Sequence, residues 1–389
     1  MKKKQYLVYV HLHQHSGDIA YAKCYCPAGA GGCCKHVAAT LYQLLDYIEL
    51  GLSDIPDDKT CTQELQKAHD SYDKDKKGPV MPSIGLGTWK SKPGEVGGAV
   101  KAAIRAGYKH IDCAEGYGNE AEVGQALTEV LKELGMKRED VFVTSKLWCN
   151  SHAREDVLAA CQKTLKNLQL EYLDLYLIHH PCTFANGMRF PTTPEDRKNV
   201  LGYNKKRLSE TWKGMEELVH KGLCKAIGVS NLTSAKIAAL LETAKIVPGT
   251  NQVELHPFLP QPGLKKFCEE KGIIITAYSS LGSPDRPGSG EADPVLMDEP
   301  LVKEIAAKRN CSPAQVLLAW GVNYGCPVLP KSVNEGRIKQ NLETYNVKLE
   351  QEDMTALANI GKKFRYLMMN LFYIERMTPE KYWDGEQGV

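Results

Sequence analysis

Between residues 84 and 332 the chain alternates short apolar runs with longer amphipathic stretches, and seven of the runs end on a polar residue capable of chemistry. They close on Asp112 (KHID), Lys146 (VFVTSK), His179 (LDLYLIH), Ser230 with Asn231 (AIGVSN), Gln252 (GTNQ), Tyr278 (IIITAY) and Lys331 with Ser332 (VLPKS). The stretches 95–106, 120–134, 154–168, 208–220, 234–243, 264–270 and 301–308 carry apolar residues at helical spacing. Strands alternating with helices imply a parallel sheet with right-handed crossovers. All C-terminal strand ends then face one side, so residues scattered along the chain share one site. With Ile84-Gly85-Leu86-Gly87 as a first strand, eight units fill roughly 310 residues, the size of a (β/α)8 TIM barrel with loop insertions. An open doubly wound sheet is the competing topology. It is disfavoured because the turn at Gly85 and Gly87 is not a dinucleotide fingerprint and no acidic residue follows at the required distance.

A chain of 389 residues, 43% hydrophobic and 25% charged, can bury a large core and still carry a second small unit. A net charge of +2 supplies no field for holding nucleic acid or an anionic membrane. The apolar stretch near the N-terminus is short and broken by histidines, which excludes a signal peptide or membrane span and predicts a cytoplasmic protein. Thirteen dispersed cysteines without a secretory signal read mainly as reduced thiols.

Composition changes at SYDKDKKGP, residues 71–79. The expected organisation is a small module over 1–70, a linker over 71–80 and the barrel over 81–389.

Taken alone, each strand-end residue has a bland reading, such as a helix cap or an ion-pair partner. An Asp, a Tyr five residues later, a Lys and a His on one barrel face change that reading. The segments GLGTWKS, GYKHIDCAEGYGNEAEVG, VTSKLW, LDLYLIHHP, GLCKAIGVSN, NQVELHPFL, AYSSLGSPDRP and PVLPKSVNEGRIKQN resemble the aldo-keto reductases in order, from about Gly78 onward. By that resemblance Asp112, Tyr117, Lys146 and His179 match the catalytic tetrad. The implied activity is NADPH-dependent reduction of aldehydes and ketones to alcohols. Tyr117 would give a proton to the carbonyl oxygen as hydride arrives at carbon. A neighbouring cation, Lys146, would bring the phenol down from its reference value of about 10. Asp112 would counter the Lys146 charge, and His179 would donate a hydrogen bond to the developing oxyanion. His179 as the proton donor is the alternative.

The same resemblance implies a cofactor belt. Tyr278 would stack on the nicotinamide, with Ser230, Asn231 and Gln252 on its carboxamide. Ser279, Leu281, Ser283 and Asp285 would lie in a loop crossing the pyrophosphate, and Thr88 and Trp89 would stand near the nicotinamide and substrate. Lys331, Ser332 and Arg337 suit a ribose 2′-phosphate, which favours NADP(H) over NAD, and Gln340 with Asn341 would sit beside the adenine. Trp89, Trp148 and His180 would line the pocket for a small carbonyl substrate.

Three departures from the family stand out. His180 replaces a tryptophan common at its position and makes the pocket more polar. Residues 181–204 and the tail from Phe364 fall in regions that set specificity, and the tail lacks the usual ending. Of the hairpin that closes the barrel floor, only GPVMPS resembles a second half, so the floor is expected to be imperfectly covered.

In the first module, Cys24-Tyr25-Cys26 and Cys34-Lys35-His36 give C-x-C and C-x-H across a glycine-rich turn. Three sulfurs and one imidazole suffice for a tetrahedral zinc site, although the spacing leaves an unligated thiol cluster open. The string CYCPAGAGGCCKHVAATLYQLLDY resembles a SWIM-type zinc finger, which implies Zn(2+) on Cys24, Cys26, Cys34 and His36, with Cys33 as an alternate ligand. His11, His13 and His15 alternate along a strand and read as a solvated face rather than a second metal site. Such modules contact proteins or DNA; the balanced charge favours a protein partner over nucleic acid. The leading reading is a monomeric carbonyl reductase with an appended zinc module. The second is a cofactor-binding regulatory or scaffold protein recruited through the zinc finger.

Overall fold

In the computed structural model, residues 80–375 and 377–386 are described, together with the backbone of two strands at 8–12 and 19–24. The chain divides into two compact units, Met1–Lys67 and Ala68–Val389. In the first, β1 (Val8–Leu12) and β2 (Ile19–Cys24) pair antiparallel, Val8 opposite Cys24.

The second unit is a parallel ring. Its strands are β3 (Leu86–Gly87), β4 (His110–Asp112), β5 (Phe142–Leu147), β6 (Leu173–Ile178), β9 (Cys224–Ser230), β10 (Thr250–Glu254) and β11 (Ile274–Tyr278), neighbours in that order. The intervening β7 (Cys182–Phe184) and β8 (Val200–Tyr203) form a separate antiparallel hairpin inside the segment expected to be a loop. Each is too short to show alternation, which is why the sequence did not announce it.

The eighth strand runs through Val328, which bridges Ile84 on one side and Ala277 on the other. Gly85 N donates to Val328 O (2.9 Å), Val328 N to Ser83 O (2.8 Å) and Leu329 N to Ala277 O (3.1 Å). Pro327 and Pro330 lack an N–H, so the contact stays a set of bridges rather than a continuous ladder. The ring is a (β/α)8 barrel.

Outside it run α1 (Val96–Ala106), α2 (Glu120–Leu134), α3 (Arg154–Leu168), α4 (Lys205–His220), α5 (Ser234–Leu241), α6 (Pro262–Glu270) and α7 (Pro300–Lys308). These begin and end close to the expected stretches. The sequence missed α8 (Pro313–Asn323), whose residues from Gln315 to Gly321 are all buried, leaving no polar face to set a period. It also missed the short polar α9 (Glu335–Leu342), α10 (Gln351–Ala358) and, in the tail, α11 (Pro379–Trp383).

Strands buried on both faces explain the apolar runs: every residue of β5 and β6 is buried. Asp174, an acid inside β6, is matched by Arg138 Nη2 (2.7 Å), Lys225 Nζ (3.1 Å) and Val143 N (2.9 Å). At the floor, expected to be imperfectly covered, Met81 packs on Phe142, Leu175 and Leu177. Among the described residues no helix is long and apolar enough to cross a membrane.

Helices α2 and α3 meet at Gly124, where a Cβ would stand 2.5 Å from Asn167 O and from the Leu168 carbonyl carbon. Backbone cannot yield as a side chain can. Alanine alone would favour the helix by about 1 kcal/mol, but the forced separation outweighs that. Gly124→Ala is expected to lower the unfolding free energy by about 1–3 kcal/mol in urea denaturation, and stabilisation would contradict the packing described.

Candidate active site

Parallel strands deliver their polar ends to one rim of the barrel. Lys146, fully buried in β5, spends its ammonium on three acceptors: Asp112 Oδ2 at 2.6 Å, Cys113 O at 2.9 Å and Tyr117 Oη at 3.0 Å. Tyr117 is carried on the 3-10 turn Glu115–Tyr117 just after β4, which places its hydroxyl over the strand end. The second Asp112 oxygen accepts from Gln252 Nε2 at 2.8 Å. A buried ammonium is tolerable only when its protons and its counter-charge are both satisfied, and here they are.

Electrostatics correct one expectation. Burial pushes the Tyr117 phenol up to about 12, outweighing the downward pull of Lys146. Burial also opposes the charge on Lys146, but Asp112 and Tyr117 win and hold its pKa above the usual lysine range. The site therefore keeps a protonated tyrosine beside a charged lysine.

His179, at the end of β6, lies edge-on to Tyr117 (ring centroids 5.5 Å apart) and to Trp148 (5.1 Å). Its Nδ1 is sealed from solvent without a partner, whereas Nε2 is not sealed. A proton on Nε2 avoids burying an unpaired donor. Burial first, with neighbouring His180, Lys146 and His152 adding to it, holds the His179 imidazole neutral, well below its ordinary pKa.

The proposed cofactor residues form one connected strip. Tyr278 Oη donates to Asn231 Oδ1 (2.6 Å), Ser230 Oγ to Gln252 O (2.7 Å), and Asn231 Nδ2 to His179 O (2.9 Å). Thr88 Oγ1 donates to Asp112 O (2.8 Å), and the half-buried Trp89 follows it on the rim. In the loop after β11, Ser279 and Ser283 both adopt left-handed backbone, and their hydroxyls meet at 2.7 Å beside half-buried Leu281. Asp285 pairs with Lys90 Nζ at 3.7 Å, tying that loop to the one after β3. The sequence reading overlooked Lys90, whose only signal is its place directly after Thr88-Trp89.

Beyond the loop, Lys331 Nζ donates to Lys90 O (3.4 Å), and Arg337 Nε to Ser332 Oγ (3.4 Å). Among the described residues neither cation has a carboxylate partner. Two unpaired cations and a hydroxyl at the start of α9 are a donor set suited to a phosphate monoester. Further along α9, Gln340 is exposed and Asn341 is buried. The residues present fit NADP(H).

Aromatic rings flank His179 and His180. Trp148 Nε1 donates to Arg189 O (2.7 Å), and its ring stands 5.1 Å from Phe190. His180 is buried, stacked on His179, and its Nδ1 lies 3.2 Å from both Tyr382 Oη and Asn231 Nδ2. Phe372 covers its other side at 4.3 Å. The tail thus packs against His180, in the region expected to set specificity. Two anchors hold it: Glu254 accepts from Tyr366 N (2.6 Å) and Leu367 N (2.8 Å), and Lys236 reaches Asp384 (2.6 Å) and Tyr382 O (2.8 Å).

Of the zinc ligands expected from sequence, Cys26, Cys34 and His36 lie outside the described residues, and Cys24 is described only as backbone in β2. Among the described residues no group of three or more His, Cys, Asp or Glu side chains could hold a metal ion. Neither zinc nor a SWIM-type finger finds support there or in the relatives below.

The sequence profile of the Aldo/keto reductase family matches residues 83–362. Aldo-keto reductase family 1 member A1 of Gallus gallus is 47% identical over 304 residues, 78% of this chain and 92% of the relative. Aldo/keto reductase slr0942 of Synechocystis is 43% identical over 311 residues, 79% of this chain and 94% of the relative. The solved aldose reductase of Schistosoma japonicum superposes with a TM-score of 0.71 at 40% identity, covering 79% of this chain and 96% of that one. Matches this long mean that the chain belongs to the aldo/keto reductase family, whose members are oxidoreductases acting on carbonyl and CH–OH groups.

Proposed function

We propose that this chain is an NADPH-dependent carbonyl reductase in which Tyr117 is the proton donor. The observation that carries the reading is Lys146, whose ammonium reaches Asp112 and Tyr117 at once inside a buried rim beside His179. Bound NADPH supplies the hydride. Tyr117 holds the proton for the carbonyl oxygen, and the Lys146 charge next to it stabilises the phenolate left after transfer. Asp112 and Cys113 O fix the lysine so that no reorganisation is needed as charge moves. His179 Nε2–H orients the carbonyl oxygen and stabilises it as it becomes negative. Trp89, Trp148 and His180 enclose the rest of the substrate.

Tyr117→Phe is expected to lower kcat by roughly 10²–10⁴-fold while NADPH binding, read by quenching of protein fluorescence, persists. Tight binding without turnover in the unaltered protein would instead favour a cofactor-holding regulatory role.

Burial keeps His180 near a pKa of about 3 and His179 well below the ordinary imidazole value, while Tyr117 sits at about 12. Neither imidazole nor phenol changes charge between about pH 5 and 8. Reduction kcat/KM is therefore expected to be flat over that interval, and a step near pH 6.5 would assign the proton to an accessible imidazole instead.

For cofactor choice, Arg337→Ala removes one of the two unpaired cations. It is expected to weaken NADPH by about 10- to 100-fold, the loss of a charge-assisted bond, with NADH affinity little changed; equal loss for both would place Arg337 away from the 2′-phosphate.

A further inference from the structure

We infer that the cleft between the N-termini of α3 and α4 is a phosphate-binding site, built from Arg207, Lys206, His152 and the first amides of α3 and sharing no residue with the strand-end rim. A charge pattern points to it: the first turn of α4 holds Lys205, Lys206 and Arg207 and no acid. The partial positive charge of a helix N-terminus favours carboxylates there and disfavours cations. Three cations in succession therefore oppose the helix unless an anion joins them. Glu242 meets Lys205 at 2.6 Å, but Arg207 Nη1 is sealed from solvent without a partner.

Helix α3 starts at the same place. His152, Ala153 and Arg154 from its start line a cavity of about 380 Å³ together with Lys206 and Arg207 of α4. Asn204 caps α4 by accepting from Arg207 N, whereas Ala153, at the N-cap of α3, has no side chain that can accept. The first amides of α3 are thus open to an external acceptor. His152 is only 2% exposed; its Nδ1 lies 3.0 Å from Thr183 Oγ1, and its Nε2 has no partner. Thr211 Oγ1, 2.5 Å from His152 O, ties this residue to α4. Burial, then the nearby Arg207 charge, hold the His152 ring neutral, with its pKa lowered to about 3.

A bare Nε2 would accept from the unpaired guanidinium beside it, yet the two do not bond. Thr183 therefore donates to Nδ1, the ring proton stands on Nε2, and two donors face one cavity without an acceptor. Arg207 is half-buried, so turning its side chain opens both to the cavity. A tetrahedral phosphate carries enough oxygens and charge to serve Nε2–H, the guanidinium, Lys206 and the α3 amides together, which a two-oxygen carboxylate does not. Two acids also line the cavity. Glu210 is already met by Lys213 (2.7 Å) and Arg154 (3.7 Å), and Glu155 is exposed to water, so the cations stay in excess. Free phosphate and a phosphate monoester share this chemistry.

Equilibrium dialysis of radiolabelled inorganic phosphate against the full chain, with NADPH in excess to fill the patch at Lys331 and Arg337, tests the site. Saturable binding is expected, weakened about tenfold in Arg207→Gln, partly kept in Arg207→Lys and unchanged in Arg337→Ala. A native urea midpoint confirms that each variant is folded. Glycerol 3-phosphate competing more tightly than phosphate would make the ligand an ester, and equal competition would make it the free ion; either result supports the site. No saturable binding, binding that survives intact in Arg207→Gln, or binding lost in Arg337→Ala would overturn the inference and leave the reductase reading standing. Imidazole nitrogen NMR of the unaltered protein gives a readout free of any variant: a bare His152 Nε2 with phosphate bound would refute the assignment.

Discussion

Closure of the ring at Val328 is the constraint on which the rest of the second unit depends. One residue pairs with the first strand at Ile84 and with the seventh at Ala277, so strands separated by almost the whole unit become neighbours. Without that closure, Lys331 and Ser332 would lie at the end of an open sheet, far from the loop after β3. With it, Gly87 bridges Lys331, and the phosphate-suited cations stand on the same rim as the buried lysine. The two prolines flanking the closing strand cost ladder bonds.

The rim itself is organised by charge compensation. Asp112 is shared: one oxygen serves Lys146 and the other Gln252, so the Lys146–Tyr117 pair and the strip through Ser230, Asn231 and Tyr278 are joined through a single carboxylate. Burial raises the phenol and opposes the ammonium, and the mutual arrangement decides which effect prevails in each case. For Tyr117 burial prevails; for Lys146 its two partners do. The result is a phenol that stays protonated next to an ammonium that stays charged, the pairing on which the proposed carbonyl reduction rests.

Pocket shape comes from segments outside the barrel repeat. The hairpin β7–β8 and the tail pack together through Cys182, Phe184, Val200, Phe372, Met377 and Tyr382. Buried Glu254 anchors the start of the tail by two backbone N–H groups, and Lys236 anchors its end. Arg365 lies over the Trp383 ring at 3.9 Å, so the segment between the anchors is braced as well. A tail held this way seats Tyr382 Oη 3.2 Å from His180 Nδ1.

By itself the sequence determined the alternation of strand and helix and the strand-end residues, because period and strand-end position are local properties that survive without coordinates, while its ordered motifs carried the resemblance to the family. Asp112, Lys146, His179 and Tyr278 could be named because each ends an apolar run. The small hairpin, α8 and the tail could not be placed: the first is too short for a period, the second is buried all round, and the third takes its conformation from Glu254 and Lys236, far away in sequence. Tertiary structure alone decided the protonation of the rim. The sequence supplied a lysine near a tyrosine, but whether burial or charge wins depends on how much water the fold removes from each.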